Sequence, residues 1–573
     1  MCPRWFESRT LCLSRGAYAL AGIVLAVLAA APANPAQLGA GVTARPGLVT
    51  ANVLAGQPLR PISPLIYGVA VASEADLAAT GARLHRWGGN PNSRYNWELG
   101  NAWNAARDWE FRNYGAEDTG GQQPSAGADR FVAMNRAAGV ESLLTIPALG
   151  WVARDGNNQT RSVGVPAGGG PPLGGQTEAI AGYDPYANRQ ATSVRSVARK
   201  GRPFADPPDL TDERVYQDEW VHHLVSRFGQ AAAGGVRYYA IDNEPDLWAE
   251  THTDVHPVRP DYDELLGTFL EYAEAIKDVD PTARVLGPTL SGWTGYFYSA
   301  RDRGTDNFRT HADRRAHGDI PLLPWWLEQV RQHDEQAGRR TLDVLDVHYY
   351  PQGQGIYPGA TDEATNALRL RSTRSLWDPS YTDESWIREP IRLIPRLREW
   401  IDRFYPGTLL AIGEWNWGAE RTLNGALAIA DVLGIYGREG VDLAAYWTTP
   451  PRGSPGALAF RMYTNYDGRG STFGDQAVPV RTDAPDEVGM YASLDSGSGD
   501  LVIIAINKRP DVDLPTVLHI EGFRPSRAAR VYRLSSEDPL AIHELGEIGV
   551  AAQELSVTLP RSSITLLRVG HAE

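Results

Sequence analysis

Cysteine is almost absent from this sequence. Cys2 and Cys12 are the only two in 573 residues, and both lie within the first 33. Past that stretch no disulfide framework, C-x-x-C redox motif or cysteine zinc site can form. Lysine is nearly as scarce: Lys200, Lys277 and Lys508 stand among 55 basic residues, an arginine bias we read as genomic base composition. The formal charge of −14 lacks the positive excess that nucleic acid or an anionic membrane would demand. Long apolar runs are missing as well. The longest, residues 17–31, is about 15 residues, short of the ~20 that span a bilayer. It follows Arg4, Arg9 and Arg15 and runs into Ala31-Pro32-Ala33, a small-x-small cleavage site, so residues 1–33 read as a secretory signal peptide. No Arg-Arg pair points to the twin-arginine route, and no lipobox cysteine follows. An uncleaved anchor is the alternative reading of the same run. Cleavage gives a secreted protein, extracellular or periplasmic, with no cysteine and no membrane attachment, stabilised by its core alone.

Tryptophan is plentiful, yet none of the 17 lies beyond Trp447, so the chain changes character near residue 450. Before that point short apolar runs recur at 65–69, 83–87, 142–146, 236–241, 284–287, 343–348, 409–414 and 442–447. Between them, apolar residues at three-to-four spacing predict helices over 129–138, 216–228, 262–279, 323–337, 392–405 and 423–436, with Thr211 and Asp261 as N-terminal signals. Eight buried strands alternating with helices indicate an α/β fold, a (β/α)8 barrel. An open doubly wound sheet fits the alternation too, but no G-x-G-x-x-G follows the first strand. Beyond about residue 481 the period becomes two, over 488–493, 501–507, 516–520, 529–533, 555–559 and 563–569, which predicts a C-terminal antiparallel β-sandwich. The expected layout is a signal peptide over 1–33, an N-terminal segment over 34–60 whose 47–53 stretch offers the sandwich a strand, a catalytic barrel over 61–478 and the sandwich over 479–573. The long Gly/Pro-rich connection 151–209 follows the third strand and sits on the face where barrel sites are built, as a cleft wall or as a disordered excursion.

Two carboxylates stand at the ends of apolar runs, Glu244 after the fourth strand and Glu414 after the seventh. Strands four and seven face one another across a barrel. A carboxyl pair there suits glycoside hydrolysis, in which a leaving oxygen must be protonated while the anomeric carbon is attacked. The aromatic setting suits a sugar, whose apolar C–H faces stack on large rings. Trp87, Trp415, Trp417 and Trp447 fall at or past strand ends, Trp447 being the strongest single candidate, although a lone tryptophan more often fills a core than carries a ligand. His348-Tyr349-Tyr350 ends the sixth strand, and Tyr349 or Tyr350 can hydrogen-bond Glu414 and keep it ionised.

The segments Arg86-Trp87-Gly88-Gly89-Asn90, Arg94-Tyr95-Asn96-Trp97, Asp242-Asn243-Glu244-Pro245 with Leu247-Trp248 and Thr251-His252, Asp346-Val347-His348-Tyr349-Tyr350-Pro351 and Tyr466-Asp467-Gly468-Arg469-Gly470-Ser471 with Phe473-Gly474-Asp475 resemble, in order and spacing, glycoside hydrolase family 44. The similarity runs from about residue 45 to 510. It implies a barrel plus β-sandwich of the large retaining clan A. It also implies a secreted endoglucanase or xyloglucanase cleaving β-1,4-glucan backbones such as carboxymethylcellulose and xyloglucan. By that resemblance Glu244 is the general acid/base, Glu414 the nucleophile, Asn243 the ligand of the sugar 2-hydroxyl, and Arg86 the cation beside Glu414. Two departures stand out: Trp415-Asn416-Trp417 replaces an expected Tyr-rich run, and the Gly/Pro-rich insertion over 163–175 has no counterpart.

No cofactor is expected. A structural calcium is implied for some family members, with Asp108 and Asp155 as oxygen donors here, and the metal ligands are left unassigned. His252 and His256 flank Asp254, but Pro257 and the turn-like context disfavour a helix presenting both to zinc. Rival readings are a mannanase, xylanase or exo-glycosidase of the same clan, and a glycan-binding protein without catalysis. No G-x-S-x-G in a strand–turn–helix setting supports a lipase or protease.

Overall fold

The computed structural model describes residues 47–57, 59–115, 123–166 and 184–572. The signal peptide, both cysteines and most of the 163–175 insertion lie outside the described residues.

Eight parallel strands close into a barrel: β1 (Gly68–Ala70), β2 (Leu84–Trp87), β3 (Glu141–Ile146), β4 (Tyr238–Ile241), β5 (Arg284–Leu290), β6 (Val344–Tyr349), β7 (Leu409–Trp415) and β8 (Leu443–Tyr446). Each falls on one of the eight expected runs. Because strand side chains alternate sides, every second residue fills the barrel axis. Leu84, Leu143, Tyr238, Ala240, Leu286, Val344, Ala411 and Leu443 form that inner plug. The intervening residues face outward into a larger core shared with the helices. This alternation decides which strand-end side chains can reach the cleft.

All six expected helices are present, as Ala126–Ala137, Gln217–Phe228, Tyr262–Val279, Leu322–Ala337, Leu393–Phe404 and Leu423–Glu439. The Asp261 side chain caps Tyr262–Val279 by accepting from Glu264 N. Thr211 caps nothing; it donates to Asp209 in a turn ahead of its helix. Two barrel helices escaped the periodicity. Glu74–Thr80 is short, though it carries a Ser73/Asp76 capping box. Pro455–Thr464 is buried almost all round and so shows no polar face. The described part of the 151–209 connection is folded: strands Trp151–Ala153 and Ser193–Val197 join Arg214–Tyr216 in a small sheet beside helix Pro185–Thr192. Among the described residues no helix is long and apolar enough to cross a membrane.

The C-terminal strands form a second, antiparallel unit. Val49–Leu54 pairs in parallel with Leu514–Glu521 and antiparallel with Val480–Thr482, and Arg60–Pro61 pairs antiparallel with Gln476–Val478, so residues from both ends of the barrel complete it. The strand Asp538–Ala551 was not expected, because most of its residues are exposed and regular alternation is confined to its end, where Ile548 and Val550 pack on the sandwich core. One sheet face packs into the barrel core through Tyr491, Ile504, Ile506 and Leu566. There Asp431 of helix Leu423–Glu439 accepts hydrogen bonds from Tyr491 Oη (2.7 Å) and Lys508 Nζ (2.6 Å), both charges being buried. Removing one partner of such a pair leaves an uncompensated charge, so Lys508→Met is expected to cost about 3–5 kcal/mol, read as a lowered thermal midpoint. An unchanged midpoint would show the pair to be dispensable.

Candidate active site

Along β2, Leu84 faces the barrel axis, so Arg86 does too, and Trp87 points away. Along β6 the inward residues are Val344, Asp346 and His348, continued by Tyr350 past the strand end. On β8, Leu443 places Trp447 on the cleft side and Tyr446 behind it. Strict alternation from Ala411 would turn Glu414 outward. It does not, because β7 carries an extra residue: Val347 pairs with Ile412 but His348 pairs with Glu414, so Gly413 is a bulge. A Cβ at Gly413 would lie 2.5 Å from Asp346 Oδ1, so any side chain at the bulge would have to displace that buried carboxyl.

The inward residues converge. Glu414 Oε1 accepts from Arg86 Nη1 at 2.5 Å in a buried ion pair, and its Oε2 accepts from Tyr350 Oη at 2.7 Å. Arg86 Nη2 donates to Asn243 Oδ1 at 2.8 Å and reaches His348 Nε2 at 3.4 Å. An arginine can only donate, so His348 Nε2 is the acceptor and the proton sits on Nδ1. Nδ1 lies 2.9 Å from Glu244 Oε1 and 3.5 Å from Glu414 Oε2. Burial drives the His348 pKa down to about 3, so the ring is neutral and serves as a fixed donor. Burial also pushes Glu244 up to about 7, against the opposing pull of Arg86 and with the help of Asp108.

The chain turns sharply at the end of β4. Asp242 and Glu244 both have positive φ, +59° and +45°, and Glu244 N is tied to Thr289 O at 3.1 Å. The buried Asp242 carboxylate fixes that turn by accepting from Ser93 Oγ (2.6 Å), Ala148 N (2.6 Å) and Leu149 N (2.8 Å). Trp447 borders Arg86, whose guanidinium carbon is 6.0 Å from its ring centroid. Asn416 Nδ2 holds the Trp447 carbonyl at 2.5 Å.

Three expected sugar contacts face elsewhere. Trp415 is fully buried against Tyr436, Tyr446 and Phe460. Tyr349 is buried against Trp417, so Tyr350 is the tyrosine on Glu414. Trp87 packs with Tyr95, Trp103 and Phe131 outside the barrel axis. All three occupy outward register positions, where aromatic rings fill the space between strands and helices.

Metal ligation has one geometric candidate among the described residues: the donor atoms of Glu244, His348 and Glu414 lie within 4.8 Å of one another. The Arg86 guanidinium already supplies the cation on Glu414. The histidine pair separates, His252 being buried and His256 Nε2 bonding Glu264 at 2.8 Å. Asp155 accepts from Thr160 Oγ1 (3.0 Å) and Asn157 N (2.9 Å) within its own turn. Asp108 instead contacts Asn90, whose own amide oxygen accepts from Asn243.

A (β/α)8 barrel with two carboxyls meeting across β4 and β7 now has its relatives. The profile of glycoside hydrolase family 44 matches residues 102–353. Endoglucanase A of Paenibacillus lautus is 32% identical over 94% of this chain and 75% of its own. The chain belongs to glycoside hydrolase family 44. Among solved structures of the family's fold, CelM2, a bifunctional glucanase-xylanase from a metagenome library, is 40% identical, covers 92% of this chain and 99% of its own, and superposes with a TM-score of 0.80. The family 44 xyloglucanase of Paenibacillus polymyxa, solved with xyloglucan, is 29% identical over 91% of this chain and all of its own, with a TM-score of 0.81. This family member is therefore a glycoside hydrolase. Sequence reasoning passed over Asp242 as an anchor, Asn90 as a link and Asp346 as a buried neighbour of Arg86. All three stand inside the quoted motifs, which was the available signal.

Proposed function

We propose that the protein is a secreted endo-acting hydrolase of β-1,4-glucan backbones, cellulose-type and xyloglucan, working by retaining double displacement. The observation that carries the mechanism is that one oxygen of each carboxyl lies within 4.8 Å of the other, the close approach of retaining pairs at roughly 5–5.5 Å rather than the wider gap of inverting ones. The relatives named for endoglucanase and xyloglucanase activity support the substrate class.

In the first step Glu414, aligned by Arg86 and Tyr350, attacks the anomeric carbon, and protonated Glu244 gives its proton to the leaving oxygen. In the second, water enters, Glu244 removes its proton, and the bond to Glu414 breaks. Neutral His348 keeps Glu244 in place by donating from Nδ1. Asn243, held by Arg86, presents its amide to the sugar 2-hydroxyl, and Trp447 offers the ring platform. These side chains and the incoming water supply every proton and nucleophile of the two steps, so the reaction as proposed calls on no cofactor. The amino-terminal 33 residues direct export, which sequencing the mature protein's first residues would test.

Proton NMR of cello-oligosaccharide hydrolysis should show the β-anomer first; an initial α-anomer would refute retention. Polymer viscosity should fall well before reducing ends accumulate, whereas release of single sugars would favour an exo-enzyme, and preference for xylan or mannan would reassign the substrate. Because only protonated Glu244 can start the reaction, kcat/KM should fall above pH about 7, where that carboxyl ionises.

A further inference from the structure

A third carboxylate faces the catalytic pair. Asp108 lies in the short turn Ala106–Trp109, in the loop that follows β2, and is half-buried. Asn90 Nδ2 donates to its Oδ2 at 3.2 Å and its Oδ1 at 3.4 Å. Asn90 Oδ1 in turn accepts from Asn243 Nδ2 at 3.3 Å, and Asn243 Oδ1 accepts from Arg86. Asp108 is thus the outer end of a chain of hydrogen bonds, Arg86–Asn243–Asn90–Asp108, that starts at the nucleophile's own cation. A carboxylate has about four acceptor sites, and among the described residues the Asn90 amide is the side-chain donor it receives. The residue is only half-buried, and its link through Asn90 sets it beside Asn243.

We propose that Asp108 is a substrate-binding carboxylate, accepting hydrogen bonds from hydroxyls of the sugar beside Asn243 and discriminating against glucan chains that carry ionised groups there. The assignment rests on the reading of the protein as a glucan hydrolase. Sugar hydroxyls are donors that a fixed carboxylate receives more strongly than a neutral acceptor does. A carboxymethyl or uronate group in the same place meets a like charge inside a partly desolvated cleft. The groups that face Asp108 are Asn90, Glu414, Glu244, Tyr114 and Arg107, the last shared with Glu250. Burial raises the Asp108 carboxyl to about 6, with Asn90 and Arg107 opposing and Glu414 adding to the rise. The discrimination should therefore strengthen as pH rises through that value.

The test compares kcat/KM on carboxymethylcellulose with that on hydroxyethylcellulose, a neutral counterpart, for wild type, Asp108→Asn and Asp108→Ala. In wild type the carboxymethyl-to-neutral ratio should fall about fivefold between pH about 5 and about 7.5, since the substrate's own carboxylates stay ionised throughout. Ionisation of Glu244 slows both substrates alike and cancels in the ratio. In Asp108→Asn the ratio should be independent of pH and stay near the wild-type value at low pH. Asp108→Ala should raise KM on the neutral polymer about fivefold with little change in kcat, as expected for a lost hydroxyl acceptor. A wild-type ratio flat with pH, an unchanged slope in Asp108→Asn, or a loss confined to kcat would each overturn the assignment; the first needs no variant to fold. Wild-type enzyme inactive on both polymers would overturn the glucan reading itself, and the role of Asp108 with it.

Discussion

Glu414→Gln is expected to lower kcat by about 10⁴–10⁶-fold while leaving glucan binding nearly intact. The amide is isosteric and finds partners in the existing cradle: its oxygen can accept from Arg86 Nη1, and its NH2 can donate to the Tyr350 hydroxyl oxygen. What disappears is the negative charge and the lone pair that forms the bond to the anomeric carbon. Initial rates of reducing-sugar release on carboxymethylcellulose, set beside calorimetric binding of a cello-oligosaccharide, separate the two effects. Residual activity within tenfold of wild type would remove Glu414 from the nucleophile's place.

Glu244→Ala should cost about 10²–10⁴-fold on polymers, whose leaving oxygen must be protonated. On an aryl glycoside with an acidic phenol the first step needs no proton, so the glycosyl-enzyme accumulates and its hydrolysis limits turnover. Azide, small enough to enter the space left by the side chain, should restore the rate and yield a glycosyl azide of retained β configuration. The alkaline limb near pH 7 should vanish with the carboxyl that causes it. In Glu414→Ala, azide stands in for the nucleophile instead, and the product should be the α-azide. Identical azide products from both variants would contradict the separate roles.

Much of this site was legible in the residues because two signals coincide in a barrel: apolar runs fix the strands, and their C-terminal ends fix where chemistry can sit. Glu244, Glu414, His348 and Trp447 followed from that, whereas Arg86 and Asn243 came only with the family resemblance. The direction of each strand-end aromatic did not. Trp415 stands next to Glu414 and reads as a sugar platform, yet alternation turns it into the outer core; Tyr349 and Tyr350 could be told apart only once Val344 was known to point inward. Asp108 lies far in sequence from every motif carboxylate, and only the folded loop after β2 brings it to Asn90. The strand Asp538–Ala551 carries too little apolar patterning to announce itself.

The bulge at Gly413 also separates two kinds of tolerance along one strand. Below it, Ala411 belongs to the packed plug of the barrel; above it, Glu414 is aimed by a count of residues rather than by packing. Substitutions that reshape the plug can be absorbed without turning the nucleophile. If residue 413 stayed but the bulge were drawn out into regular alternation, the packing layer would remain in place while Glu414 turned outward and Trp415 took the cleft side.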